Sequence, residues 1–227
     1  MYGRFDMVDE AHFKTFRWIL HEDDVERHVG DASYKLSNGS SEVDEDTASK
    51  QQDEMKHAAR EKFTTWLSSG EGVFHISGKL GSGKSTLMKY LGDHPRTQAK
   101  LREWAGSRDL VVAKFFFWRP GSPKQKSLDG LYRSLLHDVL KSRPELISEV
   151  LPELWKDARA APWQVQTEFL ISEKDVRNAF TRLVRTTSLS KHCFCFFIDG
   201  LDEYQETAQK DHKEMVKLLT SWTTTAP

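Results

Sequence analysis

The eight residues from Gly78 to Ser85 constrain this chain more than any other part of its sequence. They read GKLGSGKS and fit the pattern GxxxxGK[ST]. The three glycines of the run allow the backbone to curl so that successive N–H groups point inward, toward an anion. A short apolar segment, Val73 to Ser77, precedes the run, and residues 86–91 have a helical pattern. The sequence therefore predicts a strand, a phosphate-binding loop (P-loop) and a helix, in that order.

A phosphate-binding loop gives each of its polar residues a role. The backbone N–H groups of the loop, together with the positive end of the helix that begins near Lys84, would bind phosphate oxygens. Lys84 would contact the β- and γ-phosphates, and the Ser85 hydroxyl would coordinate Mg²⁺. The residues predicted to bind the nucleotide are Gly78, Lys79, Leu80, Gly81, Ser82, Gly83, Lys84, Ser85 and Thr86.

Acidic residues that follow an apolar run supply the second half of such a site. The run from Cys193 to Ile198 is too short for a buried helix and rich in Phe, so we predict a buried strand that ends at Asp199. The carboxyl ends of strands in open α/β sheets face the ligand crevice, so Asp199 is predicted to join Ser85 as a metal ligand. Asp202 and Glu203 are predicted to orient the attacking water, although acidic residues also favour the first turn of a helix.

The alternation of helical and extended patterns predicts the fold class. Strands alternating with helices are typical of a three-layer α/β domain with a mainly parallel sheet, here a P-loop NTPase domain preceded by N-terminal helices. Apolar residues at helical spacing predict helices over residues 5–20, 55–67, 128–139, 173–186 and 215–222, and a longer apolar run predicts a strand over 110–118.

Composition divides the chain into three parts. Residues 1–36 form an N-terminal helical segment, residues 37–54 are polar and acidic and are predicted to be a disordered linker, and residues 55–227 form the NTPase domain. Ser127 is predicted to cap the helix that follows it.

Charge and cysteine usage exclude several classes of protein. Lys and Arg number 33 and Asp and Glu number 34, a balance that argues against a nucleic-acid or membrane-surface binder. The longest apolar run has six residues, whereas a membrane-spanning helix needs about 20, and the N-terminus has no apolar signal-peptide stretch. Cys193 and Cys195 would share one face of a strand, where a mutual disulfide is geometrically poor. These features predict a soluble, cytoplasmic protein.

This chain resembles the NACHT NTPase domains of fungal NLR-like signalling proteins, which include nephrocystin-three-like N-terminal domains. The resemblance covers roughly residues 58–227. In that family a small residue follows the metal-binding Asp and an acidic pair comes two positions later, a pattern matched by Asp199, Gly200, Asp202 and Glu203. The similar stretches read FTTWLSSGEGVFHISGKLGSGKSTLMKYL, LVVAKFFFWRPGSPKQKSLDGLYRSLLHDVL and CFCFFIDGLDEY.

The resemblance implies a STAND-class switch, which is inactive with ADP, active and oligomeric with ATP, and reset by slow hydrolysis. The implied cofactors are therefore ATP or ADP with Mg²⁺. The implied partners are further copies of the chain or full-length NACHT proteins, with no nucleic acid and no membrane. The family also has a sensor strand after the acidic motif, lying in the sheet between the P-loop strand and the Asp199 strand. The sequence ends before it, so we expect either a truncated chain with an incomplete sheet, which we favour, or a sheet that closes up in a rearranged form.

The residues leave two other functions open. One is a truncated, non-enzymatic interaction protein that retains the motifs without a competent site. The other is a P-loop kinase, which is disfavoured because kinases generally lack the acidic pair and need an acceptor-binding lid for which the sequence has no signal.

Overall fold

Two strands form a parallel sheet between two layers of helices. In the computed structural model, which describes residues 4–9, 15–20, 42–160, 171–185, 191–208 and 210–223, the strands are β1 (Asp109–Phe116) and β2 (His192–Asp199). Their register pairs Asp109 with His192 and Phe116 with Asp199. Because the strands are parallel, both carboxyl ends lie at one edge of the sheet, next to the P-loop helix.

Helices surround this sheet, and their bounds follow the apolar periodicity of the sequence. Ser127 caps one of them as predicted, because its side chain accepts a hydrogen bond from the Gly130 N–H. The α-helices are α1 (Arg4–Met7), α2 (Glu42–Ser69), α3 (Lys84–Asp93), α4 (Pro95–Ala105), α5 (Leu128–Ser142), α6 (Ile147–Val150), α7 (Pro152–Ala160), α8 (Glu173–Arg185) and α9 (His212–Ser221). Short 3-10 turns span Arg17–Ile19, Pro123–Lys126, Pro144–Leu146 and Leu201–Glu203.

Each face of the sheet packs on its own apolar cluster. Successive strand residues point to opposite faces, so Phe194 and Phe196 of β2 contact one cluster, while Cys195 and Phe197 belong to the other. The first core, on the α5 side, includes Leu131, Leu135, Phe180 and Met215 from α5, α8 and α9. The second core, on the P-loop side, includes Phe63, Leu67, Leu91 and Leu101 from α2, α3 and α4.

The predicted α/β class is confirmed in its general form, because the structure is mixed and mostly helical and contains a small parallel sheet. The strands predicted over 110–118 and 193–198 are confirmed by β1 and β2. Cys193 and Cys195 are both buried and unbridged on one face of β2.

The strand predicted from Val73 to Ser77 is wrong. Its side chains do alternate, since Phe74 and Ile76 pack against the second core while Val73 is 55% exposed. Residues 73–79 nevertheless have no strand assignment, because no strand within the described residues lies beside them to accept and donate the ladder hydrogen bonds.

The N-terminal third also differs from the prediction. Helix α2 begins at Glu42 and so runs through most of the predicted linker, where Glu, Gln, Lys and Ala all favour helix. An ion pair at helical spacing, Asp53 to Lys56 at 3.3 Å, lies on that stretch. Within the predicted helix over 5–20, the described parts are α1 and one 3-10 turn. Residues 1–3, 10–14 and 21–41 lie outside the described residues.

The described helices include none with both the length and the apolar character that crossing a membrane requires.

Candidate functional site

The P-loop joins the extended residues 73–79 to helix α3. Its backbone turns where the Ser82 N–H donates to the Lys79 carbonyl at 3.2 Å. Gly81 and Gly83 have φ values of 74° and 79°, a left-handed conformation that other residues adopt only with strain. Gly83 is also the N-cap of α3, and its carbonyl accepts the Leu87 N–H at 2.8 Å. Gly81 and Gly83 therefore supply the left-handed residues of this turn.

The Lys84 side chain folds back over the loop. Its ammonium donates to the Gly78 carbonyl at 2.9 Å and to the Lys79 carbonyl at 3.0 Å. Leu80, at the tip of the loop, is 95% exposed. The structure thus holds a cation against an exposed loop at the amino end of a helix, which is the arrangement that binds phosphate in other proteins.

The structure brings Ser85 and Asp199 together from distant parts of the sequence. Asp199 is the last residue of β2 and only 9% exposed, and the Ser85 hydroxyl and the Gly200 N–H lie near its carboxylate. Burial raises the pKa of the Asp199 carboxyl, and the nearby Glu203 and Asp202 carboxylates raise it further, while the Ser85 hydroxyl and the Gly200 N–H act in the opposite direction.

The acidic pair lies in the 3-10 turn that follows β2. Glu203 Oε2 accepts the backbone N–H of Arg119, just beyond the end of β1, at 2.9 Å. Asp202 is exposed. The turn therefore places one carboxylate in a fixed position between the two strand ends and leaves the other accessible to water.

The donor set at this edge fits a hard divalent cation. The Ser85 hydroxyl and the Asp199 carboxylate are oxygen ligands of the kind that Mg²⁺ prefers, and Mg²⁺ typically keeps several waters and takes phosphate oxygens from its substrate. The described residues contain no cluster of three or more His, Cys, Asp and Glu side chains arranged for a metal. A metal bound here would depend on phosphate oxygens and water for its remaining ligands.

The sequence did not predict that the N-terminal residues contact the loop. The Phe16 ring lies 3.5 Å from the position that a Cβ atom on Gly83 would occupy. Two long-range hydrogen bonds hold this N-terminal segment in place, from Lys89 Nζ to the Val8 carbonyl at 2.7 Å and from Arg96 to the Leu20 carbonyl at 2.8 Å. Aromatic residues among the charges of the first 20 positions were the available signal.

One comparison with known proteins gives a match. The family model described as Nephrocystin 3, N-terminal matches residues 57–227, which include the P-loop, both strands and the acidic turn. No curated protein and no solved structure matches the chain.

Proposed function

Because the chain belongs to the nephrocystin 3 N-terminal family, we propose that it binds Mg²⁺-ATP and Mg²⁺-ADP as the nucleotide switch of an NLR-like, NACHT-type signalling protein. Residues 78–86 would hold the phosphates, and Ser85 with Asp199 would hold the metal. Asp202 and Glu203 would support slow hydrolysis.

The proximity of the Ser85 hydroxyl to the buried Asp199 carboxylate carries this proposal. These two side chains come from the P-loop helix and from the end of a buried strand, and a Mg²⁺-nucleotide site needs both at one point. A glycine-rich turn with a purely structural role would not need a buried carboxylate beside it, because burying a carboxylate lowers the stability of the fold.

Each group would change partners when nucleotide binds. The Lys84 ammonium would leave the Gly78 and Lys79 carbonyls for phosphate oxygens, which are stronger acceptors because they are charged. The Ser85 hydroxyl would turn a lone pair toward the metal. Bound Mg²⁺ would neutralise phosphate charge, and Asp199 would be held ionised beside it.

Slow hydrolysis would need a positioned water rather than a strong base. Glu203 is fixed by the Arg119 N–H and Asp202 is exposed, so Asp202 has the greater freedom to reach a water on the γ-phosphate side. A switch works only if nucleotide binds one conformation more tightly than the other. The proposed partners are therefore further copies of the chain or full-length NACHT proteins that recognise the ATP-bound conformation.

Thermal unfolding with and without nucleotide tests the proposal. Ligand at 100 times its dissociation constant stabilises a folded site by about 2.7 kcal/mol. We expect Mg²⁺-ATP and Mg²⁺-ADP to raise the unfolding temperature of the parent chain and of Lys100→Ala, whose side chain pairs with Glu103 on the exposed face of α4. Lys84→Ala should abolish the increase. An equal increase in Lys84→Ala would contradict the P-loop assignment.

A second candidate is a non-enzymatic interaction protein, favoured by the contact that ties Glu203 to the backbone. This carboxylate already has a structural partner and so is less available as a catalytic group. Steady-state phosphate release separates the two functions. Release by the parent that is lost in Asp202→Asn, with nucleotide binding retained, supports the enzyme. Nucleotide binding without any release by the parent supports the interaction protein.

A further inference from the structure

A polar cavity lies at the opposite edge of the sheet from the P-loop. It has a volume of about 480 Å³ and lies between the carboxyl end of α4, the start of β1 and Arg143, which follows α5. Its size falls within the range of small-molecule sites. The polar residues that line it are Gln98, Arg102, Arg108, Asp109 and Arg143.

The lining carries more positive than negative charge. Three arginines line the cavity and Asp109 is the acidic residue among the lining residues, so these residues have a net charge of about two positive units. The Glu145 carboxylate, 3.9 Å from Arg143 Nε, also opposes this charge. The Asp109 carboxylate has two cationic or potentially cationic neighbours, since one of its oxygens lies 3.7 Å from Arg143 Nη2 and the other lies 3.9 Å from His192 Nε2. Neither distance is a hydrogen bond.

Arg143 has a buried donor without an acceptor. Its Nε atom is buried and forms no hydrogen bond in the described part of the chain, and the Glu145 carboxylate lies 3.9 Å from it. Because Nε is closed off from solvent while the Arg143 side chain as a whole is 33% exposed, a ligand in the cavity would contact this residue through its terminal nitrogens and not through Nε. The Arg143 backbone, by contrast, is satisfied, since its N–H donates to the Val139 carbonyl at 2.8 Å.

Arg102 and Arg108 differ in how many of their donors are in use. Arg108 caps α4, donating from Nε to the Ala105 carbonyl at 3.2 Å, and its guanidinium lies 5.3 Å from the Trp104 ring centroid. The Arg102 guanidinium has no hydrogen bond or ion pair to any residue that the structure describes. Arg102, on α4, therefore offers its guanidinium donors to a ligand. Arg143, at the end of α5, already donates from Nη1 to the Ser142 carbonyl at 3.2 Å and offers Nη2, which lies 3.7 Å from Asp109.

We propose that this cavity binds a small molecule carrying two or more phosphate groups. Guanidinium groups bind phosphate through paired N–H donors, and a compact polyphosphate has enough charge to bridge two arginines from different helices. A single carboxylate would neutralise only one of them. Because the cavity is at the amino ends of β1 and β2, its ligand and a nucleotide at the P-loop bind at separate places.

Titration with inorganic pyrophosphate tests this, with Lys84→Ala as the background because pyrophosphate also fits a P-loop. Isothermal titration calorimetry at low salt should detect one site. In the same background, Arg102→Gln and Arg143→Gln should each weaken binding roughly tenfold or more, because each removes a charge-assisted contact. The matched control is Arg159→Gln, which removes the same charge from the exposed surface of α7.

Three results would overturn the proposal. They are the absence of binding, an equal loss in Arg159→Gln and in the cavity variants, and citrate binding as tightly as pyrophosphate. Arg102 is exposed, so Arg102→Gln should fold like the parent. Its pyrophosphate affinity therefore tests the proposal even if the Arg143 variant does not fold. These results are independent of nucleotide binding at the P-loop, because Lys84→Ala is present throughout.

Discussion

At the scale of single residues, the candidate site depends on a carboxylate whose burial opposes folding. Burial is the largest cause of the raised pKa of Asp199, so the ionised form destabilises the nucleotide-free protein. Replacing Asp199 with Asn keeps an oxygen acceptor for the Ser85 hydroxyl and removes the charge. We therefore expect Asp199→Asn to increase the free energy of unfolding at pH 7 by on the order of 1 kcal/mol in the absence of nucleotide. Urea unfolding measures this change.

The pH dependence of that difference identifies its cause. A carboxyl whose folded pKa is raised binds more protons in the folded state, so the stability of the parent falls as pH rises from the ordinary carboxyl pKa to the raised value. The advantage of Asp199→Asn should be full above this window and vanish below it. An advantage that persists at acidic pH would assign the effect to packing. The same variant should lose the Mg²⁺-dependent part of nucleotide stabilisation.

Gly200 shows the conformational demand made by the turn between β2 and the acidic pair. Its φ is 70°, and a Cβ atom there would lie 2.8 Å from the Phe117 carbonyl oxygen. We expect Gly200→Ala to lower the free energy of unfolding by about 2–4 kcal/mol, the sum of left-handed strain and a steric clash with the backbone. Gly72→Ala is the control, because φ is 74° and the nearest atom to its Cβ would be 4.0 Å away. It should cost about 1 kcal/mol, and equal losses would contradict the role of the close contact.

At the scale of elements, the described N-terminal segment, residues 4–9 and 15–20, is held to α3 and α4 by a few contacts. Lys89 and Arg96 supply the hydrogen bonds to the carbonyls of Val8 and Leu20. The double variant Lys89→Gln and Arg96→Gln should speed hydrogen exchange at the Val8, Ile19 and Leu20 amides by roughly tenfold or more, since a charged hydrogen bond contributes about 1.5–3 kcal/mol.

The control for this prediction keeps the same helix and changes a cation that makes only a local pair. Lys100→Gln removes an exposed contact to Glu103 at 2.9 Å and should leave the exchange of the N-terminal amides unchanged. If the double variant exchanges like the parent, then the aromatic contacts, such as that of Phe5 with Phe116, hold the segment without the hydrogen bonds.

The elements also show which parts of the fold can be read from the sequence. Local patterns predicted α5, α8, α9, β1 and β2, because amphipathic spacing, a Ser cap and a run of Phe are properties of contiguous residues. The strand predicted over 73–77 depends on a neighbouring strand, which no local pattern reveals. The helix over 42–54 was missed because its acidic, polar composition also suits a disordered chain.

Site residues could likewise be predicted where they lie in contiguous motifs and could not where tertiary packing brings them together. The loop and Asp199 stand in contiguous motifs, so the sequence could locate them, and a carboxylate at the carboxyl end of β2 is expected to face the ligand crevice of an α/β sheet. The arginine-lined cavity could not be predicted, because Arg102, Arg108 and Arg143 come from separate elements and share no spacing. The position of Phe16 beside the loop could not be predicted either, because only tertiary packing brings it to Gly83.

At the scale of the whole molecule, one thin sheet joins two cores. Alternate side chains of β2 enter the first core and the second, so removing support from either face should loosen both strands. Leu135 in the first core and Leu91 in the second are both fully buried. Truncating either to Ala should cost about 2–5 kcal/mol, measured by urea unfolding.

Cooperativity distinguishes a single unit from two independent layers. If the two cores fold together, Leu91→Ala should speed the slowest hydrogen exchange in α5 by the same factor as in α3, although its side chain belongs to the second core. Val216→Ala, at a side chain that is 47% exposed on α9, should change the free energy of unfolding by less than about 0.5 kcal/mol. Faster exchange confined to α3 in Leu91→Ala would mean that the P-loop layer opens without the α5 layer. Nucleotide binding at the loop would then stabilise only one side of the sheet, whereas a single cooperative unit would transmit that stabilisation to both faces.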